Sequence, residues 1–519
     1  MENDDLTISP SFSYDRKEVV IPPLCDSDCV AHFSPRSNWD GSNFGFDWIR
    51  IGDSQMKADK DPVMHHYAYL MGRYWGLAEH EVTIGEAKLK INKVKIGDDE
   101  NRWDKTKIGN PTEFRRDVKL YDRLISNSFP IQFKIPWKEG SKITCPSTIP
   151  DEIKDKINES QSLYFVPIMT LKREMSAQLQ LLVEVNPDMK KNPIRIIVEE
   201  QNQEEPKFTI SGNPFPVSDG MYDLSITCNE LFSDVQFIDA FAIYTNELGQ
   251  EVKKRCGQLR VLANDMRREM KIVFVKVDLQ VGRRWKRARF DNPDISGLKE
   301  ILNQAMIDVN ENITDNIITI ELDNSDIYNK RIVNLLKNGK LPSDKRNRVV
   351  GNISAALNRY LDRDVNNKLS PKLQNYLKVC VVNLDCVVGT DSEGEGEGEG
   401  EALNSGVTFV KDKFILLFNG RGKGTMVHEV LHGMELYHSY TAKDVNEREK
   451  AAFTYEAMKT DNIMDYSHNA VPPIERVSTW YWQWEYLWDY INFLEKKEKE
   501  RILSEAKEKM TKMIIPSTK

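Results

Sequence analysis

Apolar and polar positions fall into three stretches of different rhythm along the chain. Residues 1–155 hold short alternating runs such as Ala87-Lys88-Leu89-Lys90-Ile91 and aromatic runs such as Phe44-Gly45-Phe46-Asp47-Trp48-Ile49. Alternation sends every second side chain to one sheet face, so a mostly β module is expected there. Residues 160–265 repeat strand-like runs at Leu163 to Met169, Gln178 to Val185, Ile194 to Val198 and Val235 to Tyr244. Turn residues punctuate them, as in Ser211-Gly212-Asn213-Pro214. That rhythm predicts an immunoglobulin-like β-sandwich, a module that binds or spaces.

Residues 268–519 alternate in type. Strand-like Met270 to Leu279 is followed by a helical stretch, Leu298 to Val309, and a second strand at Ile317 to Leu322. A long amphipathic helix is expected from about Lys345 to Leu361, then strands at Leu377 to Val388 and Gly406 to Phe418, with a turn at Asn419-Gly420-Arg421-Gly422. Strands alternating with helices indicate an α/β domain. The whole reads as a multidomain protein. Between the last two strands, Glu393 to Glu401 alternates Glu with Gly. Repelling charges and flexible glycines make this a solvated loop, and no spacing in it fixes a calcium cage.

The 519 residues carry 29% charged side chains and a net charge of −8. An acidic chain is a poor match for bulk nucleic-acid binding. One basic cluster, Arg283, Arg284, Lys286, Arg287 and Arg289 around Trp285, reads as a solvated turn or cleft rim. No apolar run approaches the roughly 20 residues of a membrane span. The opening residues Met1 to Lys17 are polar and acidic, without the apolar core of a secretory signal. A chain that is cytoplasmic before export, or that never leaves the cytosol, is therefore expected. The seven cysteines, Cys25, Cys29, Cys145, Cys228, Cys256, Cys380 and Cys386, are odd in number and scattered, and they read as ordinary thiols.

The chemistry is concentrated in Thr425-Met426-Val427-His428-Glu429-Val430-Leu431-His432-Gly433-Met434-Glu435-Leu436-Tyr437-His438. With Thr425 as N-cap, a helix puts His428 and His432 one turn apart on one face, where both imidazoles can reach one ion. Neutral imidazole suits zinc. Glu429 lies beside the pair, placed to take a proton from metal-activated water. His438 would point away on a continuing helix, so the helix must end near Gly433 to Glu435 for it to return. Glu435 and Glu456 are alternative carboxylate ligands. Downstream lies Asp461-Asn462-Ile463-Met464-Asp465-Tyr466-Ser467, a turn around an apolar Met.

Together these two segments resemble the metzincin clan of zinc peptidases, and within it the pappalysin-like branch. The resemblance covers the motif and a compatible strand–helix order. It implies a metzincin-like catalytic domain with Zn2+ held by His428, His432 and His438, Glu429 as general base then acid, Met464 as the floor beneath the metal, and Tyr466 as a ligand or oxyanion contact. Glu435 departs from the clan, which places Gly three residues before the third His. A non-Gly residue in a left-handed turn costs roughly 1–2 kcal/mol, and Gly433 offers an earlier turn. Arg255-Cys256-Gly257 faintly resembles the cysteine that caps zinc in some clan zymogens, although its flanks read as a last sandwich strand. His468 reads as a surface residue or substrate contact.

The expected activity is a zinc endopeptidase acting on a protein or peptide substrate. The competing expectation is an inactive zinc-fold binding or delivery protein. Two β modules ahead of the catalytic domain resemble the layout of toxins loaded onto contact-dependent machines such as type VI secretion. That layout implies a secretion-machine carrier or an inhibitor protein as further partners, with no nucleic acid. The plain alternative is a cytosolic peptidase whose β modules select substrate.

Overall fold

A computed structural model describes residues 27–51, 62–77, 80–84, 87–91, 111–188, 193–266, 268–309, 317–342, 345–363, 376–387, 406–409, 413–422, 424–440 and 452–514. Cys25 and the Glu393 to Glu401 tract lie outside them. The protein is a mixed α/β chain of several sheets, and its contacts divide it into two compact units. The first is residues 1–266 with 437–483, and the second is residues 267–436 with 484–519. No described helix is long and apolar enough to cross a membrane.

The first unit holds two larger sheets around one core, beside three two-stranded sheets. A four-stranded sheet orders Cys29–Pro35, Ser176–Val185, Gly220–Cys228 and Phe208–Ser211. A five-stranded sheet orders Arg195–Glu200, Gln236–Thr245, Glu251–Val261, Ile168–Leu171 and Phe44–Asp47. Alternate residues from both enter one buried cluster: Leu179, Leu181 and Val183 from one sheet, Ile238, Ala240 and Ala242 from the other. The strand period of two thus fills the space between the sheets. Backbone approach is close, since a Cβ on Gly257 would lie 2.1 Å from the Ala31 carbonyl oxygen.

Residues near the N-terminus are part of this core. Cys29–Pro35 pairs antiparallel with Ser176–Val185, and Phe44–Asp47 pairs antiparallel with Ile168–Leu171. The stretch expected as a separate β module from 1 to 155 therefore supplies one edge strand to each of the two larger sheets. It also contains the helix Val118–Ser128 and the first turn of the helix Asp151–Gln161. The first is capped by Asp117, whose side chain accepts from the Lys119 amide at 3.0 Å. Their apolar residues at Leu120, Tyr121, Leu124 and at Ile153, Ile157 follow the helical rather than the strand period.

The segment 437–483 joins this unit by backbone bonds. The Gly72 amide donates to the Thr454 carbonyl at 3.1 Å, and the Glu456 amide to the Leu70 carbonyl at 2.8 Å. Asp47, 2% exposed, accepts from the Tyr481 amide at 2.8 Å. Burial holds its carboxyl up at about 7, against the Tyr481 bond and the Arg50 charge. A carboxyl raised in the folded state stabilises fully below its unfolded value and loses that contribution as pH rises through the folded one. Asp47 should therefore weaken the fold progressively from pH 4 to pH 7, by up to roughly 4 kcal/mol at about 1.4 kcal/mol per pKa unit. Asp47→Asn keeps an acceptor for Tyr481 and cannot ionise. Its urea midpoint should fall less between pH 5 and pH 8 than that of the wild type. Equal falls in the two proteins would assign the pH dependence elsewhere.

The second unit is built on a mainly parallel sheet. Ile272–Val281 pairs parallel with both Ile317–Leu322 and Leu377–Val382, and the latter pairs parallel with Phe414–Leu417. Gly406–Phe409 runs antiparallel at the end of the sheet. Val273, Val275, Val277, Cys380, Val382, Phe414 and Leu416 share a core with Val349, Val350, Ile353 and Leu357 of the helix Arg346–Arg363. Leu377 and Ile415 have the opposite parity and meet Gly433 on the other face. One run was misjudged in type: the helical stretch expected over Leu298 to Val309 is a helix Asn292–Gln304 and then a strand Ile307–Val309. Gly406 to Phe418 likewise divides into two strands, joined through residues outside the described set. One long helix, Tyr481–Ile514, closes the described chain.

Candidate metal centre

The strand Phe414–Leu417 leads through a short turn into the helix Thr425–Gly433. Thr425 is the first helical residue, not the cap. The N-cap is Gly424 at φ 91°, a left-handed geometry that suits Gly. Met426, Val427, Val430 and Leu431 are buried, and this apolar stripe seats the helix. His428 is 4% exposed, and His432 is half-buried.

The two ring nitrogens Nε2 of His428 and His432 lie 3.1 Å apart. Zn–N bonds of about 2.0–2.1 Å in a tetrahedral site place neighbouring nitrogens roughly 3.3 Å apart, so the pair fits one ion. His432 Nδ1 lies 2.8 Å from the Leu436 carbonyl, which accepts from Nδ1–H and leaves Nε2 as the lone-pair donor. Burial pushes the His432 imidazole down to about 4, against that hydrogen bond, so the ring is neutral at pH 7.

The chain then turns. Gly433 ends the helix, and a Cβ there would lie 2.7 Å from Leu377 Cδ1, so Gly433 serves close packing rather than an early turn. The left-handed residue is Glu435 at φ 64°, the position where the clan resemblance expects Gly. His438 follows on this returning run. A nitrogen from each of His428, His432 and His438 lies within 4.8 Å of the others, a group that could hold a metal ion.

Among the described residues neither alternative carboxylate joins that group. Glu456 bonds Arg116, with Oε2 to Nη2 at 3.3 Å. No hydrogen bond or ion pair is described for the Glu435 side chain. A left-handed L-residue costs about 1–2 kcal/mol, while Gly loses roughly 0.5–1 kcal/mol more backbone entropy on folding. Glu435→Gly should therefore raise stability by about 0.5–1 kcal/mol without changing metal affinity. A lower unfolding midpoint in that variant would mean the Glu435 side chain contributes more than the strain it carries.

Glu429 is half-buried against the edge strand Gly406–Phe409. Its carboxylate accepts from the Thr408 hydroxyl. A Cβ at Gly406 would lie 2.8 Å from Glu429 Cγ, so only Gly leaves room there. Burial raises the Glu429 pKa, against the Thr408 bond and the Arg346 charge.

Met464 is fully buried in a turn held by its neighbours. The Met464 amide donates to Asn462 Oδ1 at 2.9 Å, and Asn462 and Gln483 exchange amide bonds at 2.8 and 3.1 Å. Asp465 accepts from the Thr460 hydroxyl at 2.7 Å and from the Met458, Lys459, Thr460 and Tyr466 amides. The Met464 carbonyl accepts from the Ser439 amide at 3.3 Å, tying the turn to the residue after His438. The Tyr466 hydroxyl lies 3.2 Å from His438 Nε2. His468 is exposed, its ring 6.2 Å from that of Tyr466.

Other candidate residues have partners of their own. Cys256 is buried in the core of the first unit, its thiol 3.3 Å from the Ala240 carbonyl. Arg287 of the basic cluster pairs with Asp278 at 2.7 Å and with Glu321, and Lys286 donates to the Gly339 carbonyl at 3.2 Å. The sequence reading missed Gly406, Thr408 and the Leu436 carbonyl. Nothing in their spacing marks them, because sheet pairing and a backbone oxygen bring them to the histidine helix.

No protein-family model matches the sequence, and a comparison with curated proteins finds no match. Among solved structures the chain is similar to domains 4 and 5 of the S-layer protein SbsC, at 14% identity and a TM-score of 0.12. That likeness covers 18% of this chain and 46% of the other, so under half of that structure is spanned, and it carries no argument.

Proposed function

We propose that the protein is a zinc-dependent endopeptidase of metzincin-like fold, with a domain of immunoglobulin-like type ahead of its catalytic domain. The observation that carries this is the group of three imidazoles, His428, His432 and His438, with Glu429 one residue after the first. Three neutral nitrogens are the donor set of a catalytic zinc, which leaves one position open. When bound, zinc supplies Lewis acidity to a carbonyl and acidifies water.

The residues of the chain supply the rest. Glu429 takes the proton of the attacking water and returns it to the leaving amine. Thr408 orients that carboxylate. Tyr466 donates a hydrogen bond from its hydroxyl to the oxyanion. The edge strand Gly406–Phe409, next to Glu429, has no further strand paired to it among the described residues. An extended peptide adding to that edge by main-chain bonds would pass beside Glu429, which favours a peptide over a compact small substrate.

The test is incubation of the purified chain with a peptide library, with and without a zinc chelator. Cleavage that stops with the chelator and returns with added zinc is the expected result. Zinc-loaded protein that cuts nothing in the library would leave the binding-protein reading in its place.

A further inference from the structure

We propose that Tyr440 is a positioning residue for the metal centre, its ring fixing the plane in which His438 presents its nitrogen. This rests on the metal-centre reading above. His428 and His432 are aimed by a helix, but His438 stands on a returning loop, where a histidine ring is free to rotate about its outer torsion. Metal binding runs along the lone pair in the imidazole plane, so a rotated ring aims that lone pair away from the ion.

The surroundings of His438 restrict that rotation. The Tyr440 ring stacks on it, with centroids 4.8 Å apart and planes 26° from parallel. The Tyr466 ring meets it at 5.1 Å and 58°, with the phenol 3.2 Å from Nε2. The two tyrosine rings are 5.5 Å apart and support one another. Tyr440 itself stands on fixed backbone. It bridges Tyr455, which is 1% exposed, and the Ser439 carbonyl before it accepts from the Tyr455 amide at 2.9 Å. A half-buried Tyr held this firmly gives the imidazole a rigid wall. Stacking needs a flat ring and not a hydroxyl.

The experiment compares full-length wild type with Tyr440→Phe, Tyr440→Leu and Tyr440→Ala. Zinc affinity is measured by competition with a chromophoric chelator, and ligand geometry by the visible spectrum of the Co2+-substituted protein. Tyr440→Phe should match wild type within about twofold, whereas Tyr440→Leu and Tyr440→Ala should bind zinc roughly tenfold more weakly, with altered cobalt bands. The metal-free unfolding midpoint of Tyr440→Leu, which keeps the bulk, should stay near that of Tyr440→Phe. A collapsed midpoint makes Tyr440 a packing residue and overturns the inference. So does a Leu variant with wild-type affinity and spectrum, or a Phe variant as weak as Leu. Wild type that holds zinc, shows this pattern and cleaves no peptide would end the peptidase reading and leave this one standing.

Discussion

Glu429→Gln should keep its zinc and lose peptide hydrolysis by roughly 10²–10⁴-fold, the usual contribution of a positioned general base. Glutamine preserves the length of the side chain and can still accept from Thr408, so the helix and the edge strand stay as they are. It cannot take a proton. The measurement pairs zinc content per chain with kcat/KM on one cleaved peptide. A variant within a few-fold of wild type would remove Glu429 from the chemistry. A variant that cleaves poorly because it has lost its metal would make Glu429 part of the site's architecture instead.

Removing an imidazole should act on the metal itself. Zinc sites with four protein ligands bind with about 10–16 kcal/mol, so one ligand accounts for roughly 3 kcal/mol, or about a hundredfold in affinity. His428→Ala, His432→Ala and His438→Ala should each weaken zinc by that order, and the double variant at His428 and His432 should hold none. Glu456→Ala and Glu435→Ala should leave affinity unchanged, because neither carboxylate is in the group and Glu456 is engaged by Arg116. Competition with a chelator reads all six. If Glu456→Ala loses zinc while His438→Ala retains it, the third ligand has been assigned to the wrong residue.

Two consequences of the fold bear on how these tests are done. Deleting residues 1–155 would strip an edge strand from each of the two larger sheets of the first unit, including Val30, Ala31 and Phe33 of its core. Such a deletion cannot separate docking from catalysis. Substitutions at exposed positions can, since they leave the core intact.

The pair His428 and His432 was legible because a helix repeats on a short local period, and nothing distant is needed to bring residues four apart to one face. The same holds for the end of that helix. His438 can only return if the chain turns near Glu435, and Glu435 does take the left-handed conformation. The strands Ile317–Leu322 and Ser176–Val185 were legible for a similar reason, since burial on alternate positions leaves its period in the sequence.

Other features leave no such trace. The N-terminal strands Cys29–Pro35 and Phe44–Asp47 read as a separate module because pairing partners more than a hundred residues away are not encoded in a strand's own pattern. The helix Asn292–Gln304 and the strand after it read as one helix because a short apolar run is compatible with either type, and sheet position settles it.

By itself, then, the sequence determined the three histidines that could hold a metal ion, the carboxylate beside the first of them and the place where the helix must stop, all set by spacing within one local run. Only the tertiary structure decided what surrounds them. Gly406 and Thr408 reach Glu429 through strand pairing, the Leu436 carbonyl reaches His432 through the turn, and Tyr440 reaches His438 because Tyr455 and Met464 hold the returning backbone. Those contacts depend on where backbone from distant parts of the chain comes to lie, and no periodicity in a linear sequence records that.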